Sequence, residues 1–252
     1  MPAPLAENAP AKVNLTLRVL GRRDDGYHEI ESLVAFADYS DRLTLAPGGE
    51  LTLTVDGPRA EQAGSEADNL VLKAARAVAA RIPGIALGGF NLEKNLPAAA
   101  GLGGGSADAA AALRLIARAN DLALSDPRLY DAARATGADV PVCLDPRPRL
   151  MRGIGEKLSE PLILPPLPAV LVNPGVALAT KPVFAAWAPA KPFAPFDLAA
   201  AQNNSAEQFL HTLAKQANDL ETAAIKLAPV IADVLAALRA LACVRLITVV
   251  ST

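Results

Sequence analysis

Cysteine and histidine are scarce: two of each in 252 residues, Cys143 and Cys243, His28 and His211. Two cysteines build no disulfide framework and suit a reducing compartment. With so few thiols and imidazoles, a Cys/His zinc site is disfavoured. Aromatic residues make up 4% and the formal net charge is −2, which leaves nucleic-acid binding without an electrostatic or stacking basis. No uninterrupted apolar run reaches membrane-spanning length, because Pro161, Pro165, Pro166 and Pro168 break the best candidate. Met1 to Pro10 has neither a basic leader nor an apolar core and does not read as a signal peptide. These absences point to a cytoplasmic enzyme with no nucleic-acid partner and no membrane partner. They leave the oligomeric state open.

What is present is a globular composition, 52% apolar and 20% charged, long enough for one or two domains. The densest feature is Leu96-Pro97-Ala98-Ala99-Ala100-Gly101-Leu102-Gly103-Gly104-Gly105-Ser106-Ala107-Asp108, running into an alanine-rich helix to Asn120. Four glycines in five positions free the backbone for positive φ and close approach to a ligand. A glycine-rich turn feeding a helix N-terminus is an anion site, since unpaired N–H groups and the helix dipole converge there. The bland alternative is a turn that merely lets a helix pack closely on a strand.

Before the loop, Ala11 to Leu20 alternates and reads as one strand, with Val13, Leu15, Leu17 and Val19 toward a core. Lys12, Asn14, Thr16 and Arg18 share the other, polar face. A charged turn, Gly21 to Gly26, then delivers Tyr27 and His28. Glu31 to Tyr39 and Arg42 to Ala46 read as strand, and Pro47-Gly48-Gly49 as a hairpin turn with Leu51 to Val55 returning. A helix is expected over Ala67 to Ile82 with Asp68 as its cap, and a strand over Ile85 to Leu92. After the loop come a short helix from about Pro127 to Gly137 and a connection at Asp145 to Arg149. Strands follow near Leu150 to Ile154, Ala169 to Val172 and Val244 to Val250, with helices over Ser205 to Ala217 and Asp219 to Leu241. Elements mix without regular alternation, so the class is α+β, with domains at 1–150 and 151–252.

Three phosphate-loop patterns compete. Walker A fails because no Gly-Lys-Ser/Thr occurs in the loop. The dinucleotide fingerprint approximates Gly101, Gly103 and Ser106 with Asp121 beyond, but Asp121 would end the helix rather than sit at the next strand tip. The third pattern, Pro-x-x-x-Gly-Leu-Gly-Gly-Gly-Ser-Ala, resembles the phosphate loop of the GHMP kinases.

The resemblance narrows at Pro10-Ala11-Lys12-Val13-Asn14-Leu15, Arg23-Asp24-Asp25-Gly26-Tyr27-His28, Gly137-Ala138-Asp139-Val140-Pro141, and Asn173-Pro174-Gly175 with Thr180. These segments are similar to the GHMP branch that acts on a cytidine diphosphate-linked methylerythritol, and they span most of the chain. The resemblance implies a domain like ribosomal protein S5 domain 2, followed by a ferredoxin-like domain. It also implies ATP as cosubstrate, with magnesium, and transfer of the γ-phosphate to the 2-hydroxyl of the substrate on the non-mevalonate route to isoprenoid precursors.

Carried onto this sequence, the resemblance makes Lys12 and Asp139 catalytic. Asp139 would accept the hydroxyl proton, and Lys12 would favour its charged form and orient the attacking oxygen. Pro97, Ala98, Ala99, Ala100, Gly101, Leu102, Gly103, Gly104, Gly105, Ser106 and Ala107 would hold ATP, with Asn69 and Lys94 near the nucleotide. Ser106 could alternatively meet the magnesium of Mg-ATP or be a plain helix cap. Asn14, Tyr27, His28 and Thr180 would bind substrate, Tyr27 by stacking on cytosine and His28 by hydrogen bonding.

The sequence departs from the family at its end. The third glycine-rich motif, of the form S-G-S-G-A-T, is replaced by Ile247-Thr248-Val249-Val250-Ser251-Thr252, and no glycine follows Gly175. A frameshift or truncation is expected, costing backbone donors and a strand of the second domain. That leaves two alternatives to an active kinase of this branch: a nucleotide-binding protein of the same fold without turnover, or another GHMP kinase such as one acting on homoserine.

Overall fold

The computed structural model describes residues 3–189, 196, 205–216, 218–241 and 244. The chain divides into two units. The first comprises Met1–Val13, Phe36–Ala98 and Leu102–Pro146; the second comprises Asn14–Ala35, Ala99–Gly101 and Arg147–Thr252.

The strands of the first unit are the Leu5–Val13 part of β1 (Leu5–Asn14), the Phe36–Asp56 part of β3 (His28–Asp56), and β4 (Gly88–Glu93). The expected hairpin at Pro47-Gly48-Gly49 turns, but its arms do not pair with each other. Leu43 stands opposite Leu92 and Leu45 opposite Phe90, while further along Leu53 also faces Phe90 and Val55 also faces Leu92. Numbers run oppositely in the first set and together in the second, so β4 lies between the two arms. Glycine makes this insertion possible at the point where the arms converge. A Cβ on Gly88 would fall 2.0 Å from the Ala46 carbonyl oxygen, and one on Gly89 would fall 3.1 Å from Thr52 Oγ1. The strand expected from Ile85 accordingly begins at Gly88.

Helix α1 (Leu70–Ala79) is shorter than the expected Ala67–Ile82 and is capped by Asn69, not Asp68. The Asn69 Oδ1 accepts from the Val71 N–H at 2.9 Å, while Asp68 accepts from the Ser65 hydroxyl at 2.8 Å. Val71, Leu72, Ala74, Ala75 and Val78 form its buried face, each Val or Leu contributing about 1.5–3 kcal/mol by burial. Helix α2 (Gly104–Ala119) is buried all round over Ala107–Ala117, as expected of an interior helix; its alanines let α1 and α3 (Pro127–Thr136) approach closely. The four-residue α4 (Val140–Cys143) follows, with Asp139 at its N-cap.

In the second unit, β2 (Arg18–Arg22) pairs antiparallel with the start of β3, β3 with β5 (Arg149–Gly153), and β5 with β6 (Lys157–Leu158). The single strand expected over Ala11–Leu20 is broken. The Thr16 hydroxyl oxygen accepts from the Leu33 N–H at 3.0 Å, and the Asp219 carboxylate accepts from the Val19 N–H at 2.8 Å. Side chains thus take over bonds a continuous ladder would make. Both faces are covered in part: Lys12, Asn14, Thr16 and Arg18 are all 6% exposed or less, and of the apolar residues expected toward a core Leu17 and Val19 are buried while Val13 and Leu15 are only partly covered. Alternation identifies two faces; which is covered depends on the partners each finds.

Leu33, Leu150, Leu162, Phe196, Phe209 and Leu213 make the core of this unit. Its helices among the described residues are α5 (Thr180–Ala186), α6 (Ala206–Ala214), α7 (Glu221–Leu227) and α8 (Val230–Arg239). The helix expected over Ser205–Ala217 is shorter, with Ser205 as a capping-box residue and Ala217 outside the described residues. The one expected over Asp219–Leu241 is two helices, divided at Ala228-Pro229 because proline cannot continue the ladder. Ala169–Val172 forms no strand, and Val170 is 85% exposed. The strand expected over Val244–Val250 lies, beyond Val244, outside the described residues. Among the described residues no helix is long and apolar enough to cross a membrane.

Candidate active site

In the first unit Gly103 to Gly105 of the glycine loop, Lys12 and Asp139 come together. Gly103 is the N-cap of α2 in left-handed conformation, φ 62°, so Ser106 is the third helical residue rather than the cap. No side chain caps this end, leaving the first N–H groups of a sixteen-residue helix directed outward. The Lys12 N–H donates to the Leu102 carbonyl at 2.9 Å, fixing the end of the loop on β1.

Each glycine of the triple faces a different side chain. A Cβ on Gly103 would lie 3.2 Å from Lys12 Cβ; on Gly104, 3.2 Å from Lys94 Nζ; on Gly105, 3.3 Å from Leu70 Cδ1. The triple glycine is therefore closely packed, as the second of the two readings of the loop expected. Gly103→Ala combines a left-handed alanine, costing about 1–2 kcal/mol, with pressure on the Lys12 stem. We expect it to lower both the urea midpoint and kcat, whereas Gly105→Ala, meeting only a flexible leucine tip, changes either little. Equal effects of the two substitutions would refute this distinction.

Lys12 is 1% exposed, and its ammonium lies 3.4 Å from the Asp139 carboxylate, which is 19% exposed. Helix α4 is held from α2 by Arg114, which donates to the Cys143 carbonyl at 2.7 Å. The same guanidinium donates to the Asn8 carbonyl at 2.7 Å and the Glu7 carboxylate at 3.2 Å. One buried arginine thus braces the strand carrying Lys12 and the helix carrying Asp139. The neighbouring Cys143 thiol is pushed up to about 12 by burial and by the Asp139 charge, so it stays protonated and is no nucleophile.

Asn69 and Lys94 hold structure here. Asn69 caps α1 and also donates to the Ala63 carbonyl at 3.4 Å. Lys94 is 4% exposed, its ammonium bonded to Asp41 and, at 2.8 Å, to Asp108. Its N–H donates to Asp56 O at 2.8 Å and its carbonyl accepts from Arg59 N at 3.0 Å. The Ala98 N–H donates to the Gln62 side chain at 3.1 Å. Asp41 and Asp108, the partners of Lys94, carried no signal as single carboxylates in the sequence.

In the second unit, Arg23 to Gly26 forms a tight turn that presents Tyr27, 57% exposed. His28 follows, with Phe184 at 5.0 Å between ring centroids and Trp187 at 5.6 Å, edge-on. Burial and the nearby Arg22 guanidinium hold the His28 imidazole below its usual range, so at neutral pH it offers one donor and one acceptor. Thr180 opens α5, one turn before Phe184. Asn14 donates to the Ser32 hydroxyl at 2.7 Å and is buried. Ala99, Ala100 and Gly101 belong to this unit, and the Ala99 carbonyl accepts from the Leu178 N–H at 3.3 Å.

Residues 69–145 match the family model of the GHMP kinases N terminal domain. The 4-diphosphocytidyl-2-C-methyl-D-erythritol kinase of Rhodopseudomonas palustris strain CGA009 is 57% identical over 96% of this chain and 83% of its own length. This chain belongs to that kinase family. The Methylobacterium radiotolerans relative of the same name is 58% identical over 95% of this chain and 84% of its own. A crystal structure of a 4-(cytidine 5'-diphospho)-2C-methyl-D-erythritol kinase, 37% identical, matches 94% of this chain and 83% of its own with a TM-score of 0.74. A homoserine kinase from Cytophaga hutchinsonii, 20% identical with a TM-score of 0.64, shares the fold. The α+β GHMP kinase architecture is thus shown. The family's cosubstrate is ATP and its acceptor a small molecule.

Proposed function

We propose that this chain transfers the γ-phosphate of ATP to the 2-hydroxyl of 4-diphosphocytidyl-2-C-methyl-D-erythritol. The observation that carries the reading is the Lys12–Asp139 pair, 3.4 Å apart, with the Lys12 stem packed on Gly103 at the cap of α2. Phosphoryl transfer needs in-line placement, charge neutralisation and a proton acceptor. Asp139 accepts the proton of the substrate hydroxyl, the freed oxygen bonds to the γ-phosphorus, and the bond to the β-phosphate oxygen breaks to leave ADP. Lys12 orients the attacking oxygen and offsets charge developing on the transferred group.

The N–H groups at the start of α2 receive the phosphates, with the backbone of Pro97 to Ala107 as their cradle. The Ser106 hydroxyl, half-buried and without a hydrogen bond among the described residues, is the side chain we assign to the magnesium of Mg-ATP. That ion would neutralise phosphate charge. Among the described residues no group of three or more His, Cys, Asp or Glu side chains is placed to hold a metal by itself. We assign the loop and the start of α2 to ATP and Tyr27, His28, Asn14 and Thr180 to the cytidyl substrate, and place the reaction in the cytoplasm.

Tyr27→Ala should raise KM for the cytidyl substrate about tenfold, the loss of a base–aromatic stack, while KM for ATP stays within twofold. Unchanged KM for the cytidyl substrate would remove Tyr27 from recognition. The reading as a whole is tested by steady-state ADP release with the cytidyl substrate and with homoserine, beside an ATP-binding titration. Turnover with the cytidyl substrate supports it. ATP binding without turnover on either substrate would instead establish a nucleotide-binding protein of the same fold.

A further inference from the structure

The limb of chain that enters the phosphate loop, Lys94 to Ala98, is gripped by a second segment that the transfer reaction does not use, the turn from Gly57 to Gln62. The Lys94 N–H donates to the Asp56 carbonyl at 2.8 Å, and the Lys94 carbonyl accepts from the Arg59 N–H at 3.0 Å. The two backbones run so close that a Cβ on Gly57 would fall 2.7 Å from the Lys94 nitrogen and 2.8 Å from its carbonyl oxygen. Gly57 also has φ 91°, so both the approach and the conformation require glycine there. A single 3₁₀ turn, Ala60–Gln62, follows and brings Gln62 level with the loop.

Three side chains complete the grip. The Asn95 carbonyl accepts twice, from the Tyr39 hydroxyl at 2.7 Å and from Arg59 Nε at 2.9 Å, which uses both of its lone pairs. The Gln62 Oε1 accepts from the Ala98 N–H at 3.1 Å. From below, Asp41 Oδ1 accepts from the N–H groups of Asn95 and Leu96 at 2.6 and 2.7 Å. The limb that leaves the loop is held by backbone instead, through the Lys12 N–H on the Leu102 carbonyl and the ladder of α2. Gln62 is exposed and Tyr39 is 48% exposed, so neither fills the core. What each does is fix one backbone group of the entering limb.

We propose that Tyr39, Arg59 and Gln62 are positioning residues for ATP, holding the entering limb of the phosphate loop in its binding shape before the nucleotide arrives. A limb left free has to be ordered when the phosphates bind, and that loss of conformational freedom is subtracted from affinity. The grip acts on the loop alone, so it sets ATP affinity and leaves recognition of the cytidyl substrate untouched. The Ala98 N–H, occupied by Gln62, serves the shape of the cradle rather than meeting a phosphate itself.

This inference rests on the reading of the loop as the seat of ATP. Its test is the ATP dissociation constant of the full chain, with magnesium fixed, beside KM for the cytidyl substrate and amide hydrogen exchange over Asn95 to Ala98. Tyr39→Phe and Gln62→Leu each remove one hydrogen bond and should weaken ATP binding about fivefold. The double variant should show about the product of the two, while KM for the cytidyl substrate stays within twofold. Arg59→Met should resemble Tyr39→Phe, and Arg59→Lys, which keeps a donor, should recover part of the loss. Exchange in the double variant should be faster than wild type without nucleotide and equal to it at saturating ATP. An unchanged ATP dissociation constant in the double variant would overturn the inference, whatever the melting temperature does. Equal weakening toward both substrates would overturn it too, since that is general loosening. No ATP binding by the wild type would overturn the reading of the loop and the inference with it. Should Tyr39→Phe fail to fold, Gln62→Leu at its exposed position decides alone.

Discussion

Asp139→Asn is expected to lower kcat at least about a hundredfold, the usual scale of a lost general base, while KM for ATP changes by less than threefold. The asparagine keeps the shape and the N-cap position at the start of α4 but cannot accept a proton. The side chain lies 3.4 Å from Lys12 and remains 19% exposed, so a substrate hydroxyl can reach it. Steady-state kinetics with each substrate varied in turn separates the two quantities. A variant retaining more than a tenth of wild-type kcat would dismiss Asp139 as proton acceptor.

Lys12→Met should be comparably damaging to turnover, with kcat reduced by about a hundredfold or more and the protein still folded. Methionine preserves most of the stem that packs against Gly103, and Asp139, being partly exposed, can solvate its charge when the partner is removed. Loss of activity with a melting temperature within a few degrees of wild type would separate electrostatic participation from packing. If Lys12→Met retained activity and Lys12→Ala lost it, the stem rather than the ammonium would be what matters.

The loop stood out by its glycine spacing, and Lys12 and Asp139 by the resemblance of the segments around them to a known kinase family; the structure brings Gly103, Lys12 and Asp139 together. What joins them was not legible. Arg114 lies in an alanine-rich helix where a charge reads as an exposed residue, yet it is 6% exposed and holds β1 and α4. The Asp41–Lys94 pair is separated by 53 positions, and neither residue belongs to a local pattern of ion pairs. Phe184 and Trp187 meet His28 only after the second unit has folded.

The errors in secondary structure share a cause. Turn signals at Pro47-Gly48-Gly49 mark a reversal whether its arms pair together or admit a third strand. The choice was made by Gly88 and Gly89, far along the chain, where a side chain would collide with the first arm or press on the second. Alternation over Ala11–Leu20 likewise gave two faces, and the polar one was covered as well because Lys12, Asn14 and Thr16 each found a partner. Pro229 was a local signal, but the apolar periodicity on both sides of it suggested one helix.

The most direct test of the central claim is the identity of the product. The full chain is incubated with ATP, magnesium and 4-diphosphocytidyl-2-C-methyl-D-erythritol, and phosphorus NMR follows the reaction. The account predicts ADP together with an equal amount of a new phosphomonoester on the 2-hydroxyl, absent with Asp139→Asn. Transfer to a different hydroxyl, or ATP consumed at the same rate with and without the cytidyl substrate, would contradict it.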